Sequence, residues 1–325
     1  PGLTWFEIDV LEFNEQFFSV LSLLWLQQIN SHANPIRYEC TDTEVIGFTG
    51  IFEDLIEAQF FMNNNFQIEI DPKELGRNYP ITVGIEGDVK SVLEDILEGL
   101  QGSGELNLDW KTTVLSQHVA RNTRLDTELS IDSYPMKPQR VYAELRKVMP
   151  RDAIIALDAG LAPNFGQDRL VFNEPRTLIS PLDLGGLGFS FPTAIGAAFG
   201  APDRHVVNFN GDGGFLFNAQ EFETAVRYNL NLISVVMNND CWGSEKAYQK
   251  YAFNERYVGA DTINPRYDKY AELFGGKGYY VDKIEDITDV FQDALRVGKP
   301  SIIEIPTDPD EMPRPARLAE VQSNS

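Results

Sequence analysis

Sulfur and imidazole are scarce in this chain of 325 residues, which has two cysteines, Cys40 and Cys241, and three histidines, His32, His118 and His205. Two cysteines make neither a disulfide framework nor a thiolate cluster, so a reducing, cytoplasmic setting is the expectation. The histidines show no H-x-x-x-H or His-with-Cys spacing, which argues against metal catalysis through imidazole. Long hydrophobic runs are missing as well. The longest, Phe17–Leu26, is interrupted by Ser19 and Ser22 and falls far short of the roughly 20 residues a membrane helix needs. Basic charge is the third shortage: 27 Lys and Arg stand against 49 Asp and Glu, a formal net charge of −22 with no offsetting basic run. Nucleic acid and anionic membrane surfaces are therefore poor partners. An anionic ligand would need local neutralisation by a bound cation or by backbone N–H groups.

What is present is a globular composition, 43% hydrophobic and 23% charged, long enough for about two domains. The chain opens at Pro1 without a charged-then-apolar leader, which reads as a processed or partial chain. Residues 1–40 stay unassigned. Residues 41–112 read as a partial α/β unit, with a strand at 66–70 and a helix at 89–100 whose Val92, Leu93, Ile96, Leu97 and Leu100 form a helical stripe. The polar stretch 113–137 reads as part of an interdomain linker with room for one helix. From 138 to 310, β-branched runs of four to six residues alternate with helical patterns, which predicts a doubly wound parallel sheet; 311–325 reads as a tail. Ligands of such sheets sit beyond the carboxyl ends of the strands.

Two of those strand ends carry chemistry. One strand runs into Gly211-Asp212-Gly213-Gly214, and the next ends in Asn238-Asn239. Glycines let the backbone approach a bulky anion, while Asp212 and Asn239 offer hard oxygen ligands. Taken singly, each motif also reads as a plain turn. Asn218 and Glu221 resemble a capping box for the helix that follows.

The interval of 27 residues from Asp212 to Asn239 resembles the signature of the thiamine diphosphate enzymes. The resemblance implies Mg²⁺ held by Asp212, Asn239 and the carbonyl of Cys241, with Gly211, Gly213 and Gly214 against the diphosphate. Leu184-Gly185-Gly186-Leu187-Gly188-Phe189 is similar to the family's segment in which a glycine carbonyl, here Gly185, receives the aminopyrimidine and a bulky aliphatic residue, here Leu187, props the cofactor in its bent shape. Asp158-Ala159-Gly160 resembles the family's acidic-x-Gly turn, which adds Asp158 to the cofactor set, although Leu161 stands where many members have Asn. The stretch 66–88 resembles the middle domain of acetolactate synthases, and the likeness runs from about 44 to 308.

Trp242-Gly243-Ser244-Glu245-Lys246, Asn254 to Val258 and Phe172 to Arg176 are similar to sulfoacetaldehyde acetyltransferases. Glu245 is the candidate catalytic proton relay, and Lys246 and Arg256 are either solvated charges or anion binders. The implied function is a thiamine diphosphate- and Mg²⁺-dependent transferase or lyase acting on a small 2-oxo acid or anionic aldehyde, sulfoacetaldehyde acetyltransferase-like. The alternatives are an acetolactate synthase-like carboligase or decarboxylase, or a non-catalytic cofactor-binding chain. The family activates its cofactor with a glutamate on a separate pyrimidine-binding domain, and residues 1–40 are too short to form one. The resemblance therefore implies an oligomer, with that domain supplied by another chain or lost by truncation.

Overall fold

A computed structural model describes residues 66–78, 81–101, 108–181 and 184–312. The expectations for residues 1–40 and for the tail beyond 312 lie outside them. The chain divides into two compact units between Thr123 and Arg124.

In the first unit, β1 (Phe66–Glu69) and β2 (Val83–Glu86) pair in parallel, with Phe66 opposite Val83. Helix α1 (Val89–Leu100) has the predicted span. It starts where it does because the Asp88 side chain accepts from Ser91 N–H at 3.1 Å, satisfying one of the free first-turn donors. The stretch expected to be a linker with one helix holds a 20-residue helix, α2 (Leu108–Thr127), and the boundary between units falls inside it. Its bounds are hard to read from sequence because α2 exposes most of its described side chains and so carries no apolar stripe.

The second unit is built on a six-stranded, wholly parallel sheet. Its strands are β3 (Ile154–Leu157), β4 (Leu178–Ile179), β5 (Val206–Gly211), β6 (Leu232–Asn238), β7 (Lys277–Tyr280) and β8 (Ser301–Pro306), in the order β4-β3-β5-β6-β8-β7. This is the expected doubly wound α/β architecture. Alternate residues of the central strands feed two separate cores. Ile155, Val207, Val235 and Ile303 pack with helices α3 (Pro138–Arg146), α4 (Leu161–Arg169) and α10 (Ile287–Val297). Ala156, Val206, Leu232 and Ile302 pack on the other face with α5 (Ser190–Gly200), α6 (Asp212–Leu216), α7 (Phe222–Arg227) and α9 (Tyr267–Leu273). Burial on both faces explains the unbroken Val/Ile runs. Helix α8 (Gly243–Ala252) follows β6.

Across one flank, Arg169 forms a bidentate pair with Glu128 at 2.7–3.1 Å, both residues buried, and its guanidinium stacks 5.1 Å over Phe165. The expected capping box is not made. Asn218 gives its amide instead to the carbonyl of Gly188, and Glu221 accepts from Thr224, because a tertiary contact competes for the capping side chain.

Candidate functional site

The chain leaves β3 for the edge strand β4 and then returns to β5 on β3's other side. The connections therefore part in opposite directions at the carboxyl ends of β3 and β5, opening the crevice where parallel sheets hold ligands. Leu187 stands in it. A Cβ on Gly160, after β3, or on Gly214, after β5, would lie 3.7 and 3.9 Å from Leu187 Cδ2. The Leu187 loop is fixed at Gly188, whose N–H donates to Asp158 Oδ1 at 3.0 Å and whose carbonyl accepts from Asn218 at 2.8 Å. Gly188 has φ +78°, and an added Cβ would meet Phe217 Cβ at 2.5 Å, so no other residue fits. Gly185 faces open space, as does Gly211 at the end of β5.

Beside this crevice, Asp212 is buried at the start of α6. Its two carboxylate oxygens have different surroundings. Oδ2 accepts from Thr262 Oγ1 at 3.1 Å and from Asn264 Nδ2 at 2.6 Å. Oδ1 faces the Asn239 side-chain amide at 3.1 Å, and the same amide atom lies 2.9 Å from the Cys241 carbonyl. With its nitrogen turned inward, Asn239 donates to both oxygens. Turning the amide oxygen inward instead would bring carboxylate, amide and carbonyl oxygens together, an arrangement a cation between them would satisfy. Among the described residues no cluster of three His, Cys, Asp or Glu side chains could bind a metal. This donor set is one of hard oxygens from mixed sources, and it fits Mg²⁺.

Backbone geometry makes that convergence possible. Asp240 adopts φ +52°, its N–H bonded to Asn238 Oδ1 at 3.1 Å, which turns the chain so that Cys241 follows Asn239 back toward Asp212. Residues 260–264 then clasp the turn: Trp242 N–H donates to the Ala260 carbonyl at 2.7 Å, and Thr262 N–H to the Asp240 carbonyl at 2.9 Å. Burial pushes the Asp212 carboxyl above its ordinary range, opposed by Asn264 and Thr262. Burial also pushes the Cys241 thiol up to about 12, so this cysteine offers no thiolate at neutral pH and only its carbonyl faces the Asn239 amide.

Asp158 was expected at the ligand, but its side chain is wholly buried and occupied. Oδ1 accepts from Ala159 and Gly188 N–H, and Oδ2 from Ser190 at 2.9 Å and Asn210 at 2.6 Å. Ser190 also receives amide hydrogens from Asn208 and Asn210, and Ser234 donates to Asn208. Burial raises the Asp158 pKa against all four hydrogen bonds. Asp158 thus stands behind the crevice and anchors its loop.

Glu245 lies exposed on the first turn of α8. Lys246 pairs with Asp261 at 3.0 Å and sits over the Tyr257 ring, while Arg256 is exposed. The residues that sequence reasoning missed are Thr262, Asn264, Ser190, Asn208, Asn210 and Asn218. For Asn208, Asn210 and Ser234 a signal existed, since a polar residue within a run of buried-strand residues must have a partner. Thr262 and Asn264 had none, lying in an aperiodic stretch.

Comparison with known proteins decides the family. Residues 158–305 match the thiamine pyrophosphate enzyme, C-terminal TPP binding domain. The chain belongs to the thiamine diphosphate-dependent, acetolactate synthase-like superfamily. It is 32% identical over 270 residues to a sulfoacetaldehyde acetyltransferase of Alcaligenes xylosoxydans xylosoxydans, covering 74% of this chain and 44% of that one. A sulfoacetaldehyde acetyltransferase of Castellaniella defragrans is 29% identical over 285 residues, with coverage of 78% and 48%. A probable acetolactate synthase large subunit of Methanococcus aeolicus is 28% identical over 306 residues, with coverage of 88% and 51%. The chain spans about half the length of these curated relatives. Among the described residues no helix is long and apolar enough to cross a membrane.

Proposed function

We propose that the oxygens of Asp212, Asn239 and Cys241 hold Mg²⁺ on the diphosphate of thiamine diphosphate, in a transferase or lyase acting on a small 2-oxo acid or anionic aldehyde. The meeting of the Asp212 carboxylate, the Asn239 side-chain amide and the Cys241 carbonyl at 2.9–3.1 Å, at the ends of β5 and β6, supports this reading. In a chain of net charge −22 a diphosphate is repelled unless a cation offsets it. Gly213 and Gly214 bring backbone N–H groups to the same anion, and Gly185 and Leu187 line the crevice where the organic part of the cofactor would lie. Bound there, thiamine diphosphate supplies an electron sink for breaking or making the bond next to a carbonyl. Glu245, exposed beside the cation turn, holds or moves a proton at its carboxylate once a substrate is seated.

The likeness to two sulfoacetaldehyde acetyltransferases favours acetyl transfer from sulfoacetaldehyde to phosphate. Acetolactate formation from pyruvate is the second reading, supported by the match to 88% of this chain in a probable acetolactate synthase. Leu184 and Ile263 flank the site and expose 93% and 99% of their surfaces. Such apolar surface suits cover by a pyrimidine-binding domain, supplied by another polypeptide or by a longer form of this one.

Calorimetric titration of the chain with thiamine diphosphate and Mg²⁺ tests the binding reading, with Asp212→Ala as the comparison. Tight binding by the parent and its collapse in the variant are expected; equal affinities would overturn the assignment. Phosphate-dependent acetyl phosphate formation with sulfite release separates the first substrate from the second, which gives carbon dioxide and acetolactate.

A further inference from the structure

Asn264 gathers an unusual set of partners for one side chain. Its Nδ2 lies 2.6 Å from Asp212 Oδ2, 3.0 Å from both Asn238 Oδ1 and Asp240 Oδ1, and 3.2 Å from Thr262 Oγ1. Two hydrogens serve four oxygens, and the shortest contact is to the carboxylate. Carboxylate oxygens only accept, so the nitrogen must face inward. The Asn264 carbonyl oxygen meanwhile accepts from the hydroxyl of Tyr267, a residue with no exposed surface. Asn264 is therefore braced by the core on one side and grips the end of β5 and the turn after β6 on the other.

The grip selects between the two oxygens of Asp212. With Oδ2 taken by Asn264 and Thr262, the carboxylate is held with Oδ1 toward Asn239 and Cys241. The backbone of the same segment pairs with the cation turn, through Cys241 opposite Asp261, Trp242 N–H to Ala260 and Thr262 N–H to Asp240. Just before it, residues 253–259 are all exposed, and the segment is tied further by Lys246 to Asp261 at 3.0 Å and, through Val258, by Gln249.

We propose that Asn264 is a positioning residue for the cation site, and that residues 260–264 form a clasp whose closure and cation binding reinforce each other. It rests on the function proposed above, because the cation is the one that site would take. A bound cation fixes Asp212 and the turn, which gives Asn264 all its acceptors at once. A closed clasp in turn presents Asp212 Oδ1 already aimed. The coupling must be reciprocal: whatever the clasp adds to cation affinity, the cation adds to clasp closure.

The test uses the full chain with Mn²⁺ as a paramagnetic probe and thiamine diphosphate at a fixed concentration. Mn²⁺ affinity is read by electron paramagnetic resonance, and clasp closure by amide hydrogen exchange of the peptide covering 260–264. In the parent, Mn²⁺ should slow exchange in that peptide. Asn264→Ala should weaken Mn²⁺ about tenfold or more, the usual cost of losing a residue that orients a metal ligand, and Mn²⁺ should no longer slow exchange there. Thr262→Val, which keeps shape and removes the other donor, should move both readings the same way by less and serves if Asn264→Ala does not fold. Unchanged affinity in both variants would overturn the proposal. So would lost affinity with the exchange effect of Mn²⁺ intact, since the clasp would then be uncoupled. If the parent itself bound no Mn²⁺ with thiamine diphosphate, the proposed function would fall and this inference with it; a parent that binds beside variants that bind equally well sinks the inference alone.

Discussion

The six-membered ring of the Trp242 indole packs against Gly213, so close that a Cβ on the glycine would stand 2.5 Å from ring carbon Cζ3. The ring also meets Phe217 edge-on at 6.0 Å. The second glycine of the Gly-Asp-Gly-Gly turn is thus demanded by packing as well as by any anion. Gly213→Ala should destabilise the protein by about 1–3 kcal/mol, the usual cost of overpacking. Trp242→Leu should relieve part of that loss, so denaturant unfolding of the two single variants and the double one should show a coupling. Additive losses would mean the ring does not press on this position.

Asp158 offers a pH test. Its pKa in the folded state lies above the ordinary carboxylate value of 3.8 because burial outweighs its hydrogen bonds. The folded protein therefore binds this proton more strongly than the unfolded chain. Its contribution is most favourable at low pH and is lost as pH rises from 3.8 through the raised folded value. Asp158→Asn removes this titration and sets an amide donor against Asn210's donor, at a cost of about 1–3 kcal/mol. The gap in stability between parent and variant should be widest in acid and narrow as pH rises; a gap that widens with pH would refute the direction of the shift.

The Arg169–Glu128 pair should behave as a buried ion pair. Arg169→Met leaves Glu128 charged and unpartnered in the interior, which should cost about 3–5 kcal/mol. Adding Glu128→Gln should recover a large part of it. Urea midpoints for the two variants decide this, and a single variant as stable as the parent would show that the carboxylate reaches water.

In the proposed cation site Cys241 would contribute only its carbonyl, so Cys241→Ser should leave thiamine diphosphate and Mg²⁺ affinity within about threefold, in contrast to Asp212→Ala. With its pKa pushed up to about 12 by burial, the thiol should also resist iodoacetamide at pH 8 in the folded protein. Rapid labelling of the peptide containing Cys241, read by mass spectrometry, would contradict the burial.

Much of the frame was readable because parallel strands buried on both faces spell themselves out as Val/Ile runs. Helix α10 was legible from end to end: its apolar stripe stops at Val297, and Gly298 ends it at φ +61°. Asp212 and Asn239 could be picked out by their spacing. Helix α2 could be expected only as an unplaced helix in the linker, because its polar sequence gives no stripe to mark its ends. Asn218 shows why local rules fail at a site: a good capping residue was drawn away by the carbonyl of Gly188. Asn264 belongs to a stretch without periodicity, and only the fold brings it to Asp212 from 52 positions away.

The polar thread through the middle of the sheet also bears on how the strands find one another. Asn208 of β5 sits opposite Ser234 of β6 and Ala156 of β3. In strands otherwise built of Val, Ile and Leu, sliding one by two positions would keep apolar side chains on the same faces and leave little to reject the error. A slide that sets Val206 opposite Ser234 carries both Asn208 and Asn210 away from it by about 6.6 Å and strands a buried amide at a cost of about 1–3 kcal/mol, whereas the opposite slide sets Asn210 there. Asn208, Asn210 and Ser234 therefore oppose slippage of β5 against β6 in one direction, the one that would carry Asn210 further from Ser234, toward Asn238.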